Sequence, residues 1–265
     1  MASLVYLSSF ALSTEEMKNP NIYPYCVFGN KGYDPLVFTP ITILYGDNGC
    51  GKSSLLNIIA QKIGAKGFET YAYGQRYIQK FVDECRFDTG TDDFGHRIGI
   101  PARSLYLKSE DVLYEIKKIQ QRDILERDLL YKQGKGLKLK STLQATLENI
   151  QFAQEKYSNG ETAMKMIIDI LEPDNLYLLD EPEVSLSPQN QVRLAEEMNH
   201  CAHFLGCQFI IATHSPFMLG TLQAKIYYLN SDEIEEKKWY ELKNVRYFYE
   251  FFEKNKKYFN GDVMK

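Results

Sequence analysis

Hydrophobic positions along this chain fall into two patterns that take turns: short continuous apolar runs, and longer stretches in which apolar residues recur every three or four positions. Residues 36–45 hold Val37, Phe38, Ile41, Ile43 and Leu44, broken only by Pro40, and predict one strand entering a sheet buried on both faces. That run ends in Gly46-Asp47-Asn48-Gly49-Cys50-Gly51. Leu55, Leu56, Ile58 and Ile59 then recur at helical spacing as far as Gly64, so the order is strand, glycine loop, helix. Residues 65–100 are irregular and rich in Tyr, Asp and Gly, and residues 104–108 alternate as a short strand. Residues 111–131, with Val112, Ile116, Ile119 and Ile124, and residues 141–156, with Leu143, Leu147, Ile150 and Ala153, predict two amphipathic helices. A Gly- and Lys-rich break separates them. Residues 109–156 therefore read as a helical lobe inserted into an α/β body of residues 1–108 and 157–265. The body resumes with a helix over 161–171, a strand over 176–180, a helix over 188–205 and a strand over 208–213. No repeat or low-complexity tract interrupts it.

Composition narrows the class without naming a chemistry. The 265 residues can bury a substantial core as one large domain or two small ones. Their net charge of −4 argues against coating nucleic acid by bulk charge, while a local basic patch stays compatible with it. Cys26, Cys50, Cys85, Cys201 and Cys207 are an odd set with no dense framework, which suits a reduced, cytoplasmic setting. Residues 1–12 lack a basic segment and are interrupted by Ser3, Ser8 and Ser9, so no signal peptide is expected. No stretch reaches the roughly 18 apolar residues of a membrane span.

Gly46-x-x-x-x-Gly51-Lys52-Ser53 is a complete phosphate-binding loop in its confirming context, after a strand and at the start of a helix. Glycines let backbone N–H groups curl round an anion, and the helix start adds its positive end. Lys52 reaches the β- and γ-phosphates, and the Ser53 hydroxyl can ligate Mg²⁺. The strand over 176–180 ends in Asp180-Glu181, at the sheet edge where open α/β folds place ligands. Asp180 suits the Mg²⁺ shell, and Glu181 suits accepting a proton from an attacking water. Thr213-His214-Ser215 ends a second apolar strand. Ser158-Asn159-Gly160-Glu161 reads locally as a helix N-cap, and its hydroxyl and N–H groups would also make a second anion site.

These four elements in this order, spanning 38–217, resemble the ATP-binding cassette superfamily. Asp180-Glu181-Pro182-Glu183-x-x-Leu186-x-Pro188 and Ser158-x-Gly160-Glu161 resemble soluble members related to the SMC, RecF and OLD-type ATPases more than transporter cassettes. The resemblance implies a P-loop fold with a mixed sheet flanked by helices, and a Mg²⁺-dependent ATPase whose two copies meet head to tail. Each ATP would lie between the phosphate loop of one copy and the signature of the other. Gly46, Asn48, Gly49, Gly51, Lys52, Ser53 and Ser54 would then hold ATP in cis. Ser53 and Asp180 would serve the metal, Glu181 and His214 the chemistry, and Ser158 and Gly160 the partner's ATP in trans. Residues 183–187 resemble the loop that crosses the dimer seam. Tyr157 and Asn159 depart from the usual Leu and first Gly of the signature, and Ser187 stands where related soluble ATPases often carry His or Asp. The metal-sensing residue falls among Gln75, Gln79 and Ser109-Glu110, and the aromatic on adenine among Tyr23, Tyr25 and Phe28.

The resulting expectation is an ATPase that dimerises on ATP and relays closure through its helical lobe to a partner or effector protein, in genome maintenance or anti-phage defence. Two other readings stand beside it. One is the nucleotide-binding subunit of a membrane transporter, which the short lobe and Glu-Pro-Glu disfavour; the other is an ATP-gated clamp with little hydrolysis. His200, Cys201, His203 and Cys207 resemble a metal cluster, but the first three fall near the end of one helix and only His200, His203 and Cys207 could share a side, which favours packing. Lys132, Lys135, Lys138 and Lys140 could touch nucleic acid phosphates, or simply be solvated.

Overall fold

The structure, a computed structural model, describes residues 4–19, 21–29, 31, 34–70, 74–110, 159–230 and 234–259. Its centre is a six-stranded sheet in the spatial order β5 (Leu105–Lys108), β6 (Leu176–Asp180), β7 (Gln208–Ala212), β3 (Ile41–Tyr45), β8 (Lys225–Tyr228) and β9 (Glu235–Glu236). The first five strands run parallel, and β9 closes the edge antiparallel to β8. Every residue of β3, β6 and β7 is buried. That accounts for their unbroken apolar runs, because a parallel sheet covered on both faces has no wet side to encode.

Alternate residues of these strands feed two cores, as the period of two requires. Leu44, Leu178 and Ile210 face α2 (Lys52–Ile63) and α3 (Gln75–Glu84), together with a smaller antiparallel sheet. Ile43, Leu179 and Ile211 face α4 (Asn159–Ile170), α5 (Pro188–Phe204) and α6 (Pro216–Thr221). The small sheet has the order β2 (Leu36–Val37), β1 (Leu7–Ala11), β4 (Arg86–Thr89). Gln208, fully buried at the start of β7, ties it to the large one: its Oε1 accepts from Tyr6 N at 2.8 Å and Leu7 N at 2.9 Å, and its Nε2 donates to Leu7 O at 2.8 Å. All the polar atoms of its amide are thereby satisfied in the core.

Two expectations are corrected. Residues 36–45 form two strands in different sheets, since Pro40 cannot donate a ladder bond; residues 36–37 pair with β1, and 41–45 with β7 and β8. Residues 65–100 contain α3, whose Ile78, Phe81 and Val82 recur at helical spacing, and β4, whose four half-exposed residues carry little pattern. The proposed lobe at 109–156 lies outside the described residues from 111 onward. Among the described residues no helix is long and apolar enough to cross a membrane.

Candidate functional site

Strand β3 ends directly in the glycine loop, and the backbone there admits only glycine at one position. Gly51 has φ +103°, and a Cβ on it would lie 2.7 Å from Val27 Cγ1 and 3.0 Å from Phe28 Cζ. Those atoms belong to a four-residue helix, α1 (Tyr25–Phe28), that packs beneath the loop. From above, Asn230 Oδ1 accepts from Asp47 N at 2.6 Å, and Lys31 Nζ donates to Leu229 O in the adjoining segment. Helix α2 starts with no side-chain cap and no acid in its first turn, which leaves its positive end to an anion. Lys52 is buried, its Nζ donating to Gly46 O at 2.8 Å and Asp47 O at 3.2 Å. The cation is thus held inside the loop by the loop's own carbonyls.

The next strand but one in the sheet supplies Asp180. Ser53 Oγ donates to Asp180 Oδ1 at 3.0 Å, and the buried Tyr106 hydroxyl donates to Oδ2 at 3.3 Å. Burial raises the Asp180 carboxyl above its ordinary range, opposed by the Ser53 bond and the nearby Lys108 charge. A buried carboxylate beside a hydroxyl, facing a phosphate loop, is a hard oxygen donor set of the kind Mg²⁺ takes. The residues present therefore fit that ion.

Glu181 follows with φ +50°, a left-handed conformation that costs a non-glycine residue on the order of 1 kcal/mol. Its N–H is anchored on Ala212 O at 2.9 Å. The turn brings Glu181 Oε1 to 3.7 Å from His214 Nε2, which is buried without a hydrogen-bond partner among the described residues. Burial, with the Lys52 charge, holds His214 below the ordinary histidine range, so at neutral pH the ring is uncharged. The ring packs in an edge-type contact with Tyr45, with ring centroids 5.9 Å apart.

Glu183 explains why the His214 segment sits where it does. Its Oε1 accepts from Thr213 Oγ1 at 2.6 Å, His214 N at 2.9 Å and Ser215 N at 3.2 Å. One carboxylate oxygen thereby clamps the end of β7 to the turn after β6. Burial raises this carboxyl too, and its Oε2 is without a partner among the described residues. Residues 183–187 are accordingly split: Glu183 and Leu186 turn inward, Val184 and Ser185 are exposed, and Ser187 caps α5 by accepting from Asn190 N at 3.3 Å.

The structure gathers Lys52, Ser53, Asp180, Glu181 and His214 at the C-terminal edge of three adjacent strands, β6, β7 and β3. Gly46, Asn48 and Gly49 lie in the loop beside them, and Ser54 in the first turn of α2. Gly160 is in the first turn of α4, and Ser158 lies outside the described residues, as do Lys132, Lys135, Lys138 and Lys140. Ser109 reaches the site, its Oγ donating to Asp180 O at 3.4 Å, and Glu110 is the exposed residue after it. Gln79 instead donates to Asp83 Oδ1 at 2.9 Å on α3 and, with Gln75, lines a small cavity formed with Gln61, Phe68, Thr70 and Ile78.

Tyr25 and Phe28 prove to be core residues rather than candidates for adenine. Phe28 is fully buried, and the Tyr25 hydroxyl donates to Glu84 Oε2 at 2.7 Å. His203 Nδ1 lies 2.7 Å from Asn199 O, and Cys201 and Cys207 are buried. Sequence reasoning passed over Tyr106, Asn230 and the inward role of Glu183. The alternation of residues 104–108 carried a signal for Tyr106; only the fold brings Asn230 to the loop.

A family model described as "AAA domain, putative AbiEii toxin, Type IV TA system" matches residues 115–220. The maltose/maltodextrin import ATP-binding protein MalK of Vibrio cholerae serotype O1 is 25% identical over 203 residues, covering 73% of this chain and 49% of its own length. The chain thus spans about half the length of that curated relative. Among solved structures, an SMC head bound to the C-terminal winged-helix domain of ScpA aligns with a TM-score of 0.48 at 16% identity, covering 88% of this chain and 97% of that one. The SMC head domain from Thermotoga maritima aligns with a TM-score of 0.44 at 13% identity, covering 88% and 98%. The glycine loop, Asp180-Glu181 and His214 thus sit on adjacent strand ends of a chain that is similar, over part of its length, to an AAA-domain family and to an import ATP-binding protein.

Proposed function

We propose that this protein binds Mg²⁺-ATP at the glycine loop, hydrolyses it, and closes head to tail on a second copy in doing so. The observation that carries the reading is the 3.0 Å bond between Ser53 Oγ and Asp180 Oδ1, which joins the loop to the acid-tipped strand. Lys52 leaves the carbonyls of Gly46 and Asp47 for the phosphates, keeping its charge paired throughout. Ser53 and Asp180 would hold Mg²⁺, which when bound neutralises phosphate charge. Glu181 orients the attacking water and takes its proton. His214, uncharged and fixed by Tyr45 and the Glu183 clamp, offers its unpartnered Nε2 to a group entering between it and Glu181. Ser158 and Gly160 complete the second copy's site, and residues 109–156 pass the closure to a partner or effector protein.

Nucleotide titration and light scattering test this together. Lys52→Ala should abolish ATP binding with circular dichroism unchanged. Glu181→Gln should keep binding, slow hydrolysis by roughly 10²- to 10⁴-fold, and shift from monomer to dimer with Mg²⁺-ATP, because each bound nucleotide then links two chains. Adding Ser158→Arg should reverse that shift. A Glu181→Gln protein that stays monomeric at saturating ATP, or hydrolyses at the wild-type rate, would overturn the reading.

A further inference from the structure

Beyond the nucleotide site the described chain ends in two helices, α7 (Lys243–Lys254) and α8 (Lys256–Phe259), that barely touch the body. Of α7 only Val245 is buried, secured with Leu242 beside a 3₁₀ turn at Trp239–Glu241. Beyond it Tyr247, Phe248, Tyr249, Phe251, Phe252, Tyr258 and Phe259 are each between 44% and 69% exposed. Seven rings, each about half exposed, leave on the order of 800 Å² of aromatic surface in water, above the largest apolar patch of an ordinary monomer. Such a patch marks a binding surface.

Charge and ring chemistry together select the occupant. Residues 243–259 carry five cations against two carboxylates, a net of +3 in a chain whose net charge is −4, so the surface favours an anion. Two of the cations lie against rings: Arg246 Cζ is 5.8 Å from the Tyr249 centroid and Lys257 Nζ 5.1 Å from that of Tyr258. Val245 is the one aliphatic residue in the segment, and it is buried. A face built to sink into lipid or to seat a partner helix gathers its apolar side chains, aromatic ones included, along one stripe of the helix. Here residues 247, 248, 249, 251 and 252 spread over about 200° of the circumference at 100° per residue, more than a flat surface can cover at once. A flexible anionic chain with π-faced units can wrap such a helix.

We propose that α7 and α8 form a binding platform for single-stranded nucleic acid, with bases stacked on the rings and phosphates met by Arg246, Lys254, Lys256 and Lys257. This platform is separate from the nucleotide site and stands whether or not ATP is hydrolysed. The test is fluorescence anisotropy with an oligothymidylate of roughly 20 nucleotides, compared with an abasic strand of equal length, a duplex, and phosphatidylserine-containing vesicles. Wild type should bind the oligothymidylate best. Tyr247→Ala/Phe251→Ala/Tyr258→Ala should weaken that binding by about 100-fold or more, roughly fivefold per lost stack, and move it toward the level wild type shows for the abasic strand. Lys254→Gln/Lys256→Gln/Lys257→Gln should flatten the logarithmic salt dependence by about 2, at about 0.7 per phosphate contact. These side chains are exposed, and circular dichroism checks that both variants fold. Failure of wild type to bind the oligothymidylate overturns the proposal, as does equal binding of the abasic strand, or of duplex or vesicles. Unchanged affinity in the aromatic triple variant, or ring-dependent self-association in light scattering, does the same.

Discussion

Replacing Glu183 by alanine tests how much of the site's geometry one buried carboxylate holds. Its Oε1 is the acceptor for Thr213 Oγ1, His214 N and Ser215 N. When it is removed, Ser215 N keeps a second acceptor, Thr213 Oγ1 at 3.0 Å, and the Thr213 hydroxyl can rotate. The His214 N–H is left without a comparable alternative. A buried donor deprived of its acceptor costs about 1–3 kcal/mol, and bonds to a charged group are worth more than neutral ones. Relief of a carboxylate that burial disfavours offsets part of this. The balance for Glu183→Ala is a loss of about 1–3 kcal/mol. Glu183→Gln keeps a carbonyl for the same donors and should lose about 1 kcal/mol or less. Urea unfolding followed by circular dichroism, without nucleotide, measures both: the midpoint should fall with the slope unchanged. A Glu183→Ala protein within about 0.5 kcal/mol of wild type, or a Glu183→Gln protein as unstable as Glu183→Ala, would refute the clamp.

Gly51→Ala should destabilise the protein by about 2 kcal/mol or more in a thermal melt, since φ +103° and a Cβ 2.7 Å from Val27 Cγ1 act together. At Glu181, with φ +50°, the glycine variant should be more stable than the alanine variant by about 1 kcal/mol in denaturant titration, because only the Cβ separates them. His214 is held below its ordinary value of 6.5 by burial and Lys52, so below that pH the unfolded chain binds the proton more readily than the folded one. The stability of wild type relative to His214→Gln, measured by urea titration at several pH values, should therefore fall as pH drops from about 6.5 toward the lower native value. A difference that is flat across this window would contradict a ring held neutral in the folded chain.

What the chain determines by itself is local and periodic. Continuous apolar runs marked β3, β6 and β7, because strands buried on both faces carry no alternation, and helical spacing located α2, α4 and α5 to within one or two residues. The glycine loop, Asp180-Glu181 and His214 were legible because each sits at the end of such a strand, where side chain and backbone chemistry are encoded within a few residues. Contacts between distant segments were not. That Pro40 divides one apolar run between two sheets depends on which neighbours each half meets. Val27 and Phe28 lying under Gly51, Asn230 holding Asp47, and Tyr106 reaching Asp180 across β5 and β6 all join residues far apart in the chain. Glu183 was visible as part of Glu-Pro-Glu, but the direction of its side chain was decided by three donors in the segment that follows β7. Burial is likewise a tertiary property, and it is burial that turned Tyr25 and Phe28 from candidates for a ligand into core and left the aromatic rings of α7 and α8 in solvent.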